Sequence, residues 1–445
     1  MKKQILWFRR DLRVEDSALL AHASGEVLPI FIFDKNILES LPKNDVRVTF
    51  IYESVKKLKE KLQKIGLDLE VFYGEPKDIF IKLLKQYPCF SEVLCSCDFD
   101  SYAIQRDKEI ESLLVMKRYY DSFLTHPSDT VKSDGSAYKV FTAFYKNLMP
   151  LWDSDMIQEY KCSMDLKLAE YVFHNIPSLE SFGFISQTLP KHLHKSAKDI
   201  LTEFIPKIIN YEKSRDFFAS DDTSNLATHL RFGLISPKQV FNFVKKYPKS
   251  DVFIRQLFWR EFYNSVLYHF PSSETENFNG KKLIWNENKK YFEAWCEGKT
   301  GIPIIDAAMQ HLNKTGMMHN RLRMIVASFL TKNLFLPWQW GEKYFALKLL
   351  DYEACSNIGS WQWSASTGAD SVPYFRVFNP YTQSEKFDKE AIFIKSILEN
   401  LQDIDAKLLH KENGLVGNLL CQYPKSIVDI KKSRQEAINR FKYTK

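Results

Sequence analysis

The sequences TGMMHNRLRM at 315–324 and GSWQWSASTGADSVPYFRVFNP at 359–380 carry the most information about this chain. Trp338 and Trp340 lie between them, so that four indoles occur close to three arginines. A hydrophobic core has little use for indoles beside guanidinium groups, whereas a site that stacks planar ligands and holds phosphates uses both. The stretch therefore predicts a ligand-binding site.

Helical spacing sharpens this prediction. If HNRLRM is helical, Asn320, Arg323 and Met324 lie on one face and present an amide, a cation and a soft apolar side chain. Trp361 and Trp363 are two residues apart and would point about 200° apart on a helix. One of them is therefore expected to face a pocket and the other the interior. The i, i+3, i+4 spacing of Asn320, Arg323 and Met324 recurs upstream in Gln256, Trp259 and Arg260.

The first 125 residues alternate strand and helix patterns. An amphipathic helix is expected through Val48, Val55 and Leu62, and a second helix opens at Pro76. This alternation is typical of a doubly wound βαβ domain. Apolar stretches predict the buried strands of its parallel sheet at 4–8, 27–33, 69–73, 92–96 and 121–124.

The rest of the chain has a different character. Residues 126–190 show little periodicity, whereas helical patterns punctuated by Pro and Gly dominate afterwards. The predicted architecture is α/β followed by all-α: a Rossmann-like parallel-sheet domain at 1–125, a long linker at 126–190 and a helical domain at 191–445. No GxGxxG follows the first strand, which argues against a nicotinamide dehydrogenase.

Composition bounds the class of protein. The chain of 445 residues is 45% hydrophobic and 26% charged, as in ordinary globular proteins. No apolar segment approaches the ~20 residues of a membrane-spanning helix, and Arg9 interrupts the N-terminal apolar stretch too early for a signal peptide. The seven cysteines form no CxxC pair. We therefore expect reduced thiols, no metal, no membrane, a cytoplasmic location and a monomer.

The formal charge of +7 is unevenly spread. Residues 1–130 contain 20 Lys and Arg against 21 Asp and Glu, whereas the remainder contains 42 against 34. A basic C-terminal part suits a polyanionic partner such as nucleic acid.

Several motifs, taken in order, resemble one known family. The chain is similar to the DNA photolyase/cryptochrome family, and most similar to its class I cyclobutane pyrimidine dimer photolyases. The likeness extends from WFRRDLR at 7–13 to YPKSIVDIKKSRQEAINRFK at 423–442, with TSNLATHL, WREFY and EGKTGIPIIDAAM between them. It implies an N-terminal antenna domain, a helical FAD-binding domain and light-driven repair of UV-damaged DNA.

The resemblance also implies a flavin site in the helical domain. Asn357 matches the position that faces flavin N5, where an asparagine favours repair over signalling. Arg323 and Asp351 match an ion pair beside the flavin, and Glu353 stands where the family often has Asp. The other residues carried over to FAD binding are Tyr211, Thr223, Ser224, Asn225, Leu226, Ala227, Arg260 and Asn320.

Two further sets of residues follow from the resemblance. Trp361, Trp338 and Trp285 match a chain of three tryptophans that conducts electrons between the flavin and the surface. Trp259 and Trp363 match the indoles that flank a dimer flipped out of the duplex. The other residues that match substrate and DNA positions are Gln256, Asn320, Met324, Arg215, Arg321, Arg376 and Gln383.

Gln256 departs from the class I pattern, which usually has Glu there. Gln can donate a hydrogen bond to the thymine edge but cannot supply a proton, so Gln256→Glu is expected to raise the repair yield. Gln is typical of (6-4) photolyases, but those enzymes place two histidines where this chain has Asn320 and Met324. Dimer repair is therefore favoured over (6-4) repair.

The second chromophore is left open by the sequence. The Asn-Glu pair of folate-binding relatives is replaced here by Tyr102-Ala103, and their Cys-Lys by PSSETEN, which argues against folate. A flavin, a deazaflavin or no antenna are the alternatives. Other functions considered are a cryptochrome-type blue-light photoreceptor and a flavin-containing nucleic-acid-binding protein without photochemistry. Asn357 argues against the first and the complete tryptophan chain against the second.

Overall fold

The computed structural model describes residues 3–152, 157–163 and 165–443. The chain forms two units. The sheet unit comprises 1–137, 142–206 and 224–268, and the helical unit comprises 138–141, 207–223 and 269–445. The domain boundaries near 125 and 190 stay a prediction, and the predicted linker includes 153–156 and 164, which lie outside the described residues.

The sheet unit is built on a parallel sheet in the order β3-β2-β1-β4-β5. This order reverses direction at β1, so the predicted doubly wound topology is confirmed. A short additional strand pairs with the start of β2. The strands are β1 Lys3–Phe8, β2 Glu26–Asp34, β3 Glu70–Gly74, β4 Glu92–Ser96, β5 Val115–Tyr119 and β6 Lys167–Leu168.

The position predicted for the fifth strand is wrong. Residues 121–124 form a buried loop after the sheet, and the strand itself is Val115–Tyr119. It is an edge strand in which Val115 is 61% exposed and Lys117 and Arg118 face solvent. An edge strand of this kind lacks the continuous apolar pattern that identifies buried parallel strands.

Two of the helices that cover the sheet have local causes visible in the sequence. The Asp45 side chain accepts a hydrogen bond from Arg47 N at the start of α3, and Pro76 occupies the first turn of α4. Both helices were predicted. The helices up to residue 269 are α1 Ala18–His22, α2 Lys35–Leu38, α3 Val46–Lys64, α4 Pro76–Gln86, α5 Ser101–Glu111, α6 Phe141–Trp152, α7 Ala197–Ile208, α8 Tyr211–Ser214, α9 Ala227–Arg231, α10 Pro237–Val244 and α11 Asp251–His269.

The remaining elements are helical, as predicted. The Asp306 carboxylate fixes the start of α13 because it accepts hydrogen bonds from Thr300 N at 2.6 Å and Gly301 N at 3.0 Å. A π-helical turn, Phe329–Asn333, follows α14. These helices are α12 Lys289–Glu297, α13 Pro303–Thr315, α14 Asn320–Ser328, α15 Trp338–Lys348, α16 Ala354–Ala365, α17 Pro380–Phe387, α18 Ile392–Ile397, α19 Ala406–Leu409 and α20 Ile430–Tyr443.

The core of the helical unit is unusually rich in indoles. Trp295, Trp338 and Trp361 are almost completely buried in one cluster with the apolar faces of α13, α14 and α16. Within the part of the chain that the structure describes, no helix is both long enough and apolar enough to span a bilayer.

Candidate flavin and DNA site

An ion pair anchors α14 in the helical unit. Arg323 Nη2 contacts the two carboxylate oxygens of Asp351 at 3.0 and 2.8 Å, and its Nε donates to Met318 O at 2.8 Å. The Arg323 guanidinium is half-buried, so solvent partly screens its charge. The hydrogen bonds to Asp351 and Met318 hold the group in one orientation. This is the Arg323–Asp351 pair that the resemblance implies. On the same face, exposed Asn320 contacts Met324 Sδ at 3.8 Å.

Asn357 on α16 is held by α15. Its Nδ2 donates to the Glu342 backbone oxygen at 3.1 Å and to Glu342 Oε1 at 3.0 Å. Both amide protons are thereby used, and no donor among the described residues takes the carbonyl oxygen. Burial raises the pKa of Glu342, while hydrogen bonds from Asn357 and Tyr352 oppose the rise. The Asn357 amide is therefore held in one orientation, with its carbonyl oxygen left as the acceptor.

Trp361 lies in a tightly packed part of the core. It is 2% exposed, and its ring meets Phe345 at a centroid distance of 5.0 Å and Trp295 at 6.0 Å, both in edge-to-face geometry. Gly341 leaves room for the indole, because a Cβ at that position would overlap the ring. Trp363, two residues further along α16, is only half-buried. The two indoles thus have different surroundings, with Trp361 as the interior one.

The other two members of the predicted tryptophan chain also belong to the helical unit. Trp338 is fully buried, and its Nε1 donates to Asn277 Oδ1 at 2.8 Å. Trp285 is half-buried and packs against the same core cluster. Its ring lies 4.9 Å from that of Phe335. All three tryptophans thus belong to, or pack against, one hydrophobic cluster, and Trp285 is the most exposed of them.

The residues predicted to contact phosphate differ in their exposure and in their partners. Arg321 Nη2 pairs with Asp216 Oδ2 at 2.6 Å, and its guanidinium lies 4.5 Å from the Phe387 ring centroid. Arg376 is exposed, and Gln383 on α17 is half-buried. Arg215 lies over the ring of Tyr211 at 5.8 Å. Arg321 is thus held by a carboxylate and an aromatic ring, whereas Arg376 is exposed to solvent.

Six of the predicted flavin residues, Tyr211 and Thr223 to Ala227, lie at or just before the start of the short helices α8 and α9. Tyr211 begins α8 and is buried, which raises its pKa. Thr223 belongs to the helical unit, whereas Ser224 to Ala227 belong to the sheet unit. Ser224 Oγ accepts from Leu226 N at 3.4 Å, and Asn225 has a left-handed backbone with φ of 54°. Leu226 is the N-cap residue of α9, so the Thr-Ser pair does not cap that helix.

In the sheet unit, α11 carries the repeated amide–indole–cation face. Gln256 Nε2 donates to Val252 O at 3.0 Å, one turn earlier in the same helix. The ring of half-buried Trp259 lies 5.6 Å from that of Tyr263. Arg260 Nη1 donates to Ser122 O at 2.5 Å, with its guanidinium 3.9 Å from the Phe123 centroid. Arg260 is thus engaged inside the sheet unit in this structure.

Tyr102, which replaces a residue of the Asn-Glu pair found in folate-binding relatives, makes a contact within the sheet unit. Tyr102 Oη donates to Asp34 Oδ2 at 2.6 Å, and both groups lie in the sheet unit. Burial and the Asp34 carboxylate raise the pKa of Tyr102. The phenol therefore remains protonated and joins α5 to the end of β2.

The residues that hold the predicted site residues in place were not predicted from the sequence. Glu342 orients Asn357, Asn277 holds the Trp338 indole, Asp216 neutralises Arg321 and Gly341 accommodates Trp361. The only sequence signal for this group is that Gly341 and Glu342 directly follow WQW. The other partners are distant in sequence and have no motif of their own.

Comparisons with known proteins agree with this arrangement of a parallel sheet and a helical unit rich in indoles. Residues 4–159 match the family model described as DNA photolyase, and residues 253–443 match the FAD binding domain of DNA photolyase. The chain therefore belongs to the DNA photolyase family.

The relatives cover the whole chain. A deoxyribodipyrimidine photo-lyase of Alkalihalophilus pseudofirmus is 32% identical over 98% of this chain and 97% of its own. A bacterial class III photolyase from Agrobacterium tumefaciens has a TM-score of 0.84 and 31% identity, covering 99% of this chain and 97% of its own. The archaeal photolyase from Sulfolobus tokodaii, solved with two FAD molecules, has the same TM-score and 32% identity and covers 99% of both chains.

Proposed function

We propose that this protein uses blue light to repair cyclobutane pyrimidine dimers in DNA, as a deoxyribodipyrimidine photo-lyase. The observation that carries the proposal is the orientation of Asn357, whose amide protons are both donated to Glu342. Full-length relatives that bear this enzyme's name support it.

The residues present fit reduced FAD. When bound and reduced, FAD supplies one electron to the dimer on excitation and receives it back after the ring opens. Asn357 offers a carbonyl oxygen, the acceptor that a protonated flavin nitrogen requires. The Arg323–Asp351 pair offers a fixed cation and acceptor for the polar part of the cofactor. The other residues proposed to contact FAD are Tyr211, Thr223, Ser224, Asn225, Leu226, Ala227, Arg260, Asn320 and Glu353.

The chain's own contribution to repair is to receive and hold the lesion. Flipping is least costly for a dimer, because the lesion is already poorly stacked. Trp259 and Trp363 are the indoles proposed to stack on it, at about 1–3 kcal/mol per base. Gln256, Asn320 and Met324 are proposed to contact its edges. Arg215, Arg321, Arg376 and Gln383 are proposed to hold the DNA backbone, where arginine matches phosphate in a bidentate manner.

Three tryptophans are proposed to return the flavin to its reduced form. Indole is readily oxidised, so an electron can pass in short steps from Trp285 through Trp338 to Trp361. The division into an antenna domain at 1–125, a linker and a helical domain at 191–445 belongs to the same proposal, as do a monomeric state and a cytoplasmic location. The antenna pigment stays open, although one solved relative contains two FAD molecules.

The direct test uses photoreduced protein and a short oligonucleotide that contains one thymine cyclobutane dimer. Blue light is expected to restore the ultraviolet absorbance of thymine, and a dark control is expected to show no change. The same measurement with a (6-4) lesion tests the alternative that Gln256 favours. Recovery with the (6-4) oligonucleotide alone would replace dimer repair by (6-4) repair. No recovery with either lesion, with reduced FAD bound, would favour a photoreceptor.

A further inference from the structure

Lys332 is a lysine buried in the core of the helical unit. It lies in the π-helical turn Phe329–Asn333 and is 1% exposed. Its Nζ contacts Ser366 Oγ at 2.7 Å and lies 3.8 Å from the centroid of the Phe441 ring. No Asp or Glu among the described residues pairs with it. Buried lysines are normally paired, so this exception requires an explanation.

The ring under Lys332 belongs to the surroundings of Trp285. The Trp285 ring lies 6.3 Å from that of Phe441 and 4.9 Å from that of Phe335. Phe335 and Phe441 also contact each other, at 5.7 Å. A charge on Lys332 is therefore separated from the indole by a single layer of apolar rings, in a region where the dielectric constant is low.

Two other cations lie over aromatic rings around this turn. Lys281 lies 5.6 Å from the Tyr374 ring, which stacks on Phe441, and Arg440 of α20 lies 4.7 Å from the Phe335 ring. Helices α14, α15, α16 and α20 pack on the turn. Among the described residues, the Lys332 ammonium contacts the Ser366 hydroxyl after α16 and the Phe441 ring of α20. Burial, and then Lys281, lower the pKa of Lys332 to about 7.

We propose that Lys332 is a positioning residue for electron transfer, whose protonation controls how easily Trp285 loses an electron. The ammonium form disfavours a positive charge on Trp285, whereas the neutral amine permits it. This inference rests on the proposed tryptophan chain. In the step concerned, one electron leaves the Trp285 indole, moves along the chain and is taken up by bound FAD. It returns to Trp285 unless an added thiol supplies an electron instead.

The consequence is a pH dependence of the tryptophan radical near neutrality. At low pH the positive charge on the chain is driven inward from Trp285 and recombines faster. After a laser flash in the absence of thiol, the lifetime of the tryptophan radical should increase as the pH rises through about 7. The expected increase is about five- to tenfold, the effect of one unit charge acting across a layer of aromatic rings. In Lys332→Met the lifetime should be long and independent of pH.

Two variants shift the midpoint in opposite directions. Lys281→Met removes a neighbouring cation, so the pKa of Lys332 and the midpoint of the lifetime profile should move up. Ser366→Ala removes the hydroxyl that accepts a hydrogen bond from the ammonium, so both should move down. Lysine-labelled NMR of the same FAD-loaded proteins gives the Lys332 titration directly. Its midpoint should follow that of the radical lifetime.

The possible outcomes separate this inference from the proposed function. A radical whose lifetime ignores pH while Lys332 titrates would overturn the role of Lys332 and leave the tryptophan chain intact. A pH dependence that persists in Lys332→Met would do the same. If no tryptophan radical forms in the unmodified protein, the proposed chain fails and the inference fails with it.

Discussion

In the sheet unit the three arginines of WFRRDLR are paired with carboxylates, whereas in the helical unit the buried cation Lys332 faces an aromatic ring. Arg9 meets Asp107 at 2.5 Å, Arg10 meets Asp98 at 3.3 Å, and Arg13 forms a fully buried pair with Asp121. Lys332 instead contacts a hydroxyl and a phenyl ring. The three arginines are neutralised by carboxylates, whereas Lys332 has no carboxylate partner among the described residues.

This difference separates structural charge from charge that can change state. A paired guanidinium with a very high intrinsic pKa stays ionised at every accessible pH and holds the loops after β1 in place. An unpaired amine close to its own pKa can gain or lose a proton during function. We therefore expect substitutions in the first group to affect folding, and substitutions around the rings of the helical unit to affect photochemistry.

The largest expected effect is on the stability of the sheet unit. Arg13→Met leaves the Asp121 carboxylate buried without its partner, which should cost about 3–5 kcal/mol. Chemical unfolding followed by circular dichroism measures the loss. The double variant Arg13→Met/Asp121→Asn removes both charges and should regain the larger part of it. A loss below about 1 kcal/mol in Arg13→Met would show that this pair does not support the unit.

A second substitution tests the packing of the helical unit. Alanine usually stabilises a helical position relative to glycine by about 1 kcal/mol. Gly341→Ala should instead destabilise by about 1–3 kcal/mol, because the new Cβ overlaps the Trp361 ring. Lys343→Ala, at an exposed position of the same helix, is the matched control and should change little. Stabilisation by Gly341→Ala would mean that the indole moves freely.

A third prediction compares the same chemical change in both units. Trp361 and Trp7 are each 2% exposed, and each ring packs edge-on against a phenylalanine. Phenylalanine is much harder to oxidise than indole. Trp361→Phe should therefore slow photoreduction of bound FAD about tenfold or more, the effect of a barrier about 1.4 kcal/mol higher. Trp7→Phe should leave this rate unchanged, and equal slowing in both variants would indicate a general packing defect.

The features predictable from the sequence are those that repeat locally. The alternation of strands and helices, the helix opened by Pro76 and the shared face of Asn320, Arg323 and Met324 depend on residues a few positions apart. Periodicity of apolar residues reports burial directly. For the same reason it missed β5, whose position at the edge of the sheet removes the apolar pattern.

The partners that tune the site could not be predicted in this way. Asn357 and Glu342 lie on two different helices, and Arg13 lies 108 positions from Asp121. Such contacts are set by tertiary packing, which leaves no periodic signal in one sequence. In the sequence alone, the three arginines of WFRRDLR are equally compatible with a phosphate-binding site. Their carboxylate partners in the structure identify them as structural.

The smallest predicted effect concerns Gln256 on α11, where the sequence departs from its class. Its amide N–H is donated to Val252 O in the same helix. A glutamate cannot make that bond and is repelled by the carbonyl, so Gln256→Glu should turn its carboxyl group away from the helix and toward a bound lesion. The repair yield at saturating DNA should rise by less than about tenfold, since one hydrogen bond contributes about 1 kcal/mol. Gln105→Glu makes the same charge change at an exposed helical position of the same unit and should leave the yield unchanged. An equal or lower yield in Gln256→Glu would show that the amide already provides what repair requires at this position.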